Sequence, residues 1–599
     1  MASSLVSRRS ASRMSREPGA DSYDLPGYSQ TRTRPSHSSR ATSMSHVVLQ
    51  FFRRLKWVVF LVACLLLGWS AYLALFTSRL DGILPSRQPP AETLSGLTLG
   101  RLAVPLRNST AGASRRLRIF MPADAPHINL CKTVMSAVAL GYPLPTLLNW
   151  RGEYNRPAWH FAGSHIAKLV GLLGGIEALL EDDDGAGEND LAVLVDAYDI
   201  WFQLPPSVLI QRYHQLNREA DERTRGQWEE AGWKPGFPVQ PPRQDIVVTS
   251  AKDCFPDRTS GSDPHYEHWP ASPMPADMYG PGTDAVPFSL DPARKYRRVR
   301  PRCVNSGMVM GTMGGLREAL RRCKEKVDVV ERAGRQLWSD QALLAEVIGD
   351  QEMWREWARH LGSSWDGQVA LNDMSSLSPE VRPIAAAALG GRRFEFGIGL
   401  DYNFTTIPPT CSAEEDGFFV RTDDAAAVKA ESVKAGVPAV RVHGMPPELR
   451  DATTQMDPLL SGLAWGQLPL YTDFFFGTTP VGIHHNAYVG GLKPWRLAHW
   501  WHRMWYRPQL RQLVTQRLQP SKHDAAPLAM ILSHPGQDSI KYWAPQEDHQ
   551  RKAVTVFEPS RPPGDQFTPI SWDGVCQKNG ESKKWYDVLF GDDEGPLDI

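Results

Sequence analysis

The chain predicts a mixed α/β fold behind a single membrane-crossing helix, on three observations. Leu191 to Val195 is a run of five apolar residues, long enough for a buried strand and too short for a free-standing helix. It ends abruptly in two carboxylates, Asp196 and Asp199, with Tyr198 between them. His160 to Leu180 carries an apolar helical pattern, and Trp57 to Phe76 is 20 residues without a charge.

The amino-terminal part sets the topology. Residues 1–56 hold 10 Lys/Arg against 3 Asp/Glu, many Ser and hardly any aliphatic run before Val47, the composition of a solvated cytosolic tail. At about 1.5 Å per residue, the segment 57–76 matches a hydrocarbon core of about 30 Å. Arg53, Arg54 and Lys56 stand on its amino side, so the positive-inside rule leaves the tail in the cytosol and everything beyond in the lumen. This makes a type II signal anchor in the Golgi or ER membrane, followed by a Pro, Ser and Gly-containing stem over 77–115. Six of the seven cysteines then lie on the oxidising side, where disulfides are permitted, and Cys254 and Cys303 flank one long loop that they could close. Asn108-Ser109-Thr110 and Asn403-Phe404-Thr405 are N-glycosylation acceptor sequences usable on that side. With 66 Lys+Arg against 66 Asp+Glu, the chain has no global basic field to attract nucleic acid.

Beyond the stem the elements alternate. Leu117 to Met121 reads as a first buried strand, and the helix 160–180 follows with Ser164 as its expected N-cap and Lys168 as a cation on an apolar face. Asp245 to Ser250 is another short strand, and residues 256–302 form a long Pro/Gly/Ser/Asp loop. Val304 to Gly311 is an apolar strand with Asn305 and Ser306 at its start. Gly315 to Arg332 is a charged surface helix, and Ser339 caps a further helix from Asp340 to Ile348. Phe396 to Thr405 is a strand and turn, and histidines appear late, at His443, His484 and His485.

In open α/β sheets ligands gather beyond the carboxyl ends of the strands. Two hard oxygen donors three residues apart at such a place suit a divalent cation carrying phosphate oxygens, although an isolated Asp-x-x-Asp also serves as a plain capped turn. An iron oxygenase triad would begin with His-x-Asp or His-x-Glu, and only His265-Tyr266-Glu267 fits, inside a Pro/Ser/Gly loop.

Six pieces in order carry a resemblance. They are Val195-Asp196-Ala197-Tyr198-Asp199, Ser250 to Asp257 (SAKDCFPD), Asn305-Ser306-Gly307, Ser339-Asp340-Gln341, Leu400-Asp401-Tyr402 and Ile483-His484-His485-Asn486. Together they resemble the glycosyltransferase domain of lysyl hydroxylases and the related collagen glycosyltransferases, over about residues 116–500. The resemblance implies a GT-A fold, a Rossmann-like nucleotide-sugar-binding sandwich that uses a UDP-sugar and Mn²⁺. It implies Asp196, Asp199 and a histidine as metal ligands, with His484 preferred over His443 and His485 for its spacing to Asn486. It implies Tyr198 near uracil, Lys168 near the diphosphate, and Asn305 and Asp340 facing donor sugar and acceptor. Lys493-Pro494-Trp495 is similar to the phosphate-contacting motif of glycogenin-like enzymes, which adds Lys493 and Trp495 to the donor site. Ser339 replaces one carboxylate of the family's Asp-Asp-Gln, the loop 256–302 and the segment 406–480 have no counterpart, and residues 501–599 form a C-terminal extension.

The expected function is a membrane-anchored glycosyltransferase moving a hexose from a UDP-sugar to a protein or glycan acceptor. The alternative is a catalytically inactive lumenal binding protein on the same fold.

Overall fold

The central strands are apolar on both faces, and that dictates what must cover them. The computed structural model describes residues 93–94, 99–100, 102 and 113–597, apart from 160–161, 183–185, 257, 284–297, 338, 367–368, 371–376, 453–458, 520–525, 533–538, 546–551, 579 and 581–583. The expected anchor 57–76, the tail, the Asn108 acceptor sequence and most of the stem lie outside the described residues.

Strand β1 is Ser114–Pro122, β2 Thr146–Leu148, β3 Leu191–Val195, β4 Ile200–Phe202, β5 Ile246–Ala251, β6 Cys303–Thr312, β7 Ile398–Asp401 and β8 Gly482–His484. Among the later strands are β9 Ile540–Trp543, β10 Thr555–Phe557 and β11 Phe567–Pro569. The main sheet runs β11-β10-β2-β1-β3-β6-β5-β7, with β9 also paired to β1. β10, β2, β1 and β3 are mutually parallel, β6 runs antiparallel between β3 and β5, and β7 is parallel to β5. This is a mixed α/β fold with a mostly parallel central sheet, compatible with a Rossmann-like architecture.

Side chains divide with the period of two that strands impose. Leu191, Val193 and Val195 pack on one side with Leu117, Ile119 and helix α1 (Ile128–Ala139). Ala192 and Leu194 pack on the other with Phe120, Val309 and helix α2 (Ala162–Glu181). Leu194 is fully buried, so Leu194→Ala would cost about 2–5 kcal/mol. Helix α2 is long and apolar enough to cross a membrane, but its Ile166, Leu169, Leu172 and Ile176 are spent on the sheet. Ser164 is the third residue of this helix and does not cap it, because the helix already begins at Ala162.

Helix α3 spans Pro206–Glu230, α4 Met313–Arg332, α5 Asp340–Ser363 and α6 Leu492–His499. Ser339 caps α5 as expected, its hydroxyl accepting the Ala342 N–H at 3.1 Å, and the helix runs well past Ile348. The residues after 500 are no appendage. β9 pairs with β1, β10 pairs with β2, and a Cys131–Cys576 disulfide ties the carboxyl-terminal part to α1. Three- and four-residue strands carry too little pattern to announce themselves. Cys254 and Cys303 close the long loop, while Cys323 and Cys411 are free and buried.

Candidate metal centre

The two aspartates stand where β3 ends. The Asp196 N–H donates to the Gly307 carbonyl at 2.9 Å, so the chain stays pinned to β6 one residue past the strand, then turns at Ala197 and Tyr198. β4 starts at once and pairs antiparallel with β8, in a register that sets His484 opposite Ile200. Residues 285 positions apart in the chain thereby meet at one point. His484 Nε2 lies 3.5 Å from Asp196 Oδ2 and 3.4 Å from Asp199 Oδ2. One ligand atom from each residue falls within 4.8 Å of the others, the only such His/Cys/Asp/Glu group among the described residues. Two carboxylates and an imidazole, with an open cavity before them, could hold a metal ion.

Two lysines flank the carboxylates in different ways. Lys168, from α2, is buried and donates to Asp196 Oδ1 at 2.7 Å and to the Ser306 carbonyl at 2.7 Å, and pairs with Asp340 Oδ2 at 2.6 Å. Burial opposes its charge, but Asp196 and Asp340 outweigh burial and raise its pKa. Lys493, from the first turn of α6, pairs with Asp199 Oδ2 at 2.6 Å while its side chain stays 46% exposed. Burial pushes the Asp199 carboxyl up, yet His484 and Lys493 hold it well below the usual carboxylate range. Burial likewise opposes ionisation of Asp340, and Lys168 overcomes it to lower the pKa.

These side chains line a cavity of about 510 Å³ together with Tyr198 and Asn305. The Tyr198 hydroxyl exchanges hydrogen bonds with Asp124 and Ala125 in the loop after β1, which fixes its ring in the wall. Asn305 Oδ1 accepts the Gly307 N–H at 3.0 Å and its Nδ2 donates to Gln341 Oε1 at 3.1 Å, so it props the cavity floor against α5. Trp495 is not among the lining residues; its ring is 48% exposed and stacks on His499.

The histidines separate clearly. His443 is exposed in a loop. His485 points the other way from its neighbour, packing on Trp201 at 4.1 Å, and burial drives its pKa well down. Asn486 serves structure: its Oδ1 accepts the N–H groups of Thr410 and Cys411. Asp124 and Asn149 also line the cavity and had no signal in the sequence, since each stands just past a strand, β1 or β2, with no motif around it. The sequence matches no protein-family model and no curated protein.

Proposed function

We propose that the chain is a metal-dependent glycosyltransferase of the GT-A type, transferring a hexose from a UDP-sugar to a protein or glycan acceptor on the lumenal side of the Golgi or ER membrane. The observation that carries this reading is the grouping of Asp196, Asp199 and His484 at the carboxyl end of β3, with lysines on both sides.

Asp196, Asp199 and His484 would hold the cation. When bound, it supplies positive charge to offset the negative charge that grows on a departing diphosphate. Lys493 reaches the same point from a half-exposed helix start, so its ammonium is placed to meet phosphate oxygens at the cavity mouth. Lys168 is fully occupied by Asp196, Asp340 and Ser306, so its part is to hold the two carboxylates ionised and in place. Asp340 has a lowered pKa, which makes it a weak base. Its negative charge suits an oxocarbenium-like anomeric centre better than it suits proton abstraction. A catalytically inactive descendant would tolerate loss of Asp196 or Asp199, and both are present.

The test is UDP release by the purified chain from a panel of UDP-sugars, first with Mn²⁺ and then with EDTA. Release from one donor that EDTA abolishes and Asp199→Ala eliminates is the expected result. Silence across the panel from folded protein removes the reading.

A further inference from the structure

A second cavity, of about 360 Å³, opens between α3, α5, β7 and the loop through Trp269, and none of its lining residues belongs to the metal cavity. Its aromatic walls are Trp269 and Tyr402, which are 4% and 8% exposed. Arg223 stands over the Tyr402 ring at 5.7 Å. Arg355 is locked, donating to both oxygens of Glu395 at 2.7 and 2.9 Å and to Glu352 Oε1 at 2.9 Å.

The Tyr402 hydroxyl is the informative group. Its residue is more than nine-tenths buried and lines the cavity, yet no hydrogen-bond partner for that hydroxyl exists among the described residues. That hydroxyl opens on to the cavity, where a bound polar ligand can meet it. The opposite wall is preformed. Arg302 Nη2 donates to the carbonyls of Tyr266 and Trp269 at 2.7 and 2.9 Å, and Arg300 Nη1 to that of Ser272 at 3.1 Å.

The chemistry of the lining selects the ligand class. Arg223 and Arg355 are balanced by Glu230 and Glu352, so the cavity offers donors and acceptors without a net charge. Aromatic faces beside such groups suit a ligand with an apolar C–H face and a rim of hydroxyls. The volume stands at the lower end of the ~300–1,000 Å³ of ligand cavities, room for one or two rings. We propose that this cavity is a binding site for a neutral sugar residue of a glycan, separate from the metal centre.

The experiment titrates the full purified chain with glucose, galactose, mannose and their disaccharides, read by saturation-transfer NMR and calorimetry, alongside Tyr402→Phe and Asp199→Asn. Saturable binding of a neutral sugar is expected, weakened at least fivefold by Tyr402→Phe and unchanged by Asp199→Asn. Phe keeps the ring, and circular dichroism checks that the variant folds. No saturable binding, or binding indifferent to Tyr402→Phe, overturns the proposal. Loss in Asp199→Asn would move the sugar to the metal cavity and overturn it too, as would a clear preference for glucuronate or a sugar phosphate. UDP release is expected to stay at the wild-type level in Tyr402→Phe, so the two sites succeed or fail separately.

Discussion

Lys493 and Asp199 form an ion pair of 2.6 Å in which the lysine is half exposed and the carboxylate is buried. The oxygen that the ammonium holds, Oδ2, is the one that also faces His484 Nε2 at 3.4 Å. A cation entering between the two aspartates therefore competes with Lys493 for the same lone pairs. Gly490 and Gly491 precede the helix that carries Lys493, Gly491 with φ +76°, and open space surrounds both, which gives the lysine room to leave.

Lys493→Ala should accordingly tighten Mn²⁺ binding in the absence of nucleotide and weaken UDP binding in its presence. Half-exposed pairs are worth ~0.2–1 kcal/mol, so the gain for metal should reach up to about fivefold. Calorimetric titration of metal and then of UDP reads both. A loss of metal affinity in the variant would show that Lys493 does not compete.

Gly307 explains how a residue without a side chain supports a ligand. A Cβ there would come within 2.4 Å of His484 Cε1 and 2.5 Å of its Nδ1, closer than real Cβ contacts allow. Gly307→Ala should displace the imidazole and lower Mn²⁺ affinity at least tenfold, with all three ligand side chains intact. Unchanged affinity would mean that the ring is not a ligand.

Lys168 is a counter-ion that Asp196 and Asp340 share. Removing one partner from a buried ionic group strands the others, so Lys168→Met should destabilise the fold by ~3–5 kcal/mol. Adding Asp340→Asn to it should return part of that loss. Urea unfolding of the single and double variants measures the difference, and a double variant no more stable than the single would argue against the pairing.

A third charged group responds to pH. Asp473 is buried, its Oδ1 accepting the N–H groups of Phe475 and Phe476 at 2.9 and 3.0 Å. Asp416, nearby, binds the Lys252 ammonium and the Tyr279 hydroxyl. Burial, and then the Asp416 charge, push the Asp473 carboxyl up to about 7 against the opposing pull of Lys252. A carboxyl raised in the folded state keeps a proton that the unfolded chain has lost. Its stabilising contribution is complete below the ordinary carboxylate range and disappears as pH climbs towards about 7. Asp473→Asn should lose less thermal stability than wild type between pH 5 and pH 8, by on the order of 1–3 kcal/mol. Parallel melting curves at the two pH values would show no difference if Asp473 titrates normally.

Certain features were legible in the chain because they are local. A five-residue apolar strand buried on both faces has to be a continuous run, and Leu191 to Val195 is one. Asp196 and Asp199 follow it directly, and Ser339 caps its helix through a hydroxyl three residues away, so neither needed the rest of the molecule. The choice of His484 over His443 rested on spacing to Asn486, although Asn486 turns out to support a distant turn. Tertiary structure alone decided what Lys168 faces, because α2 and α5 are distant in sequence and meet only by packing on the same face of the sheet. It also decided that 501–599 completes that sheet, since strands three or four residues long gain their stability from partners elsewhere in the chain. The second cavity belongs to the same class: its walls come from residues 220 to 402, brought together by packing that no periodicity records.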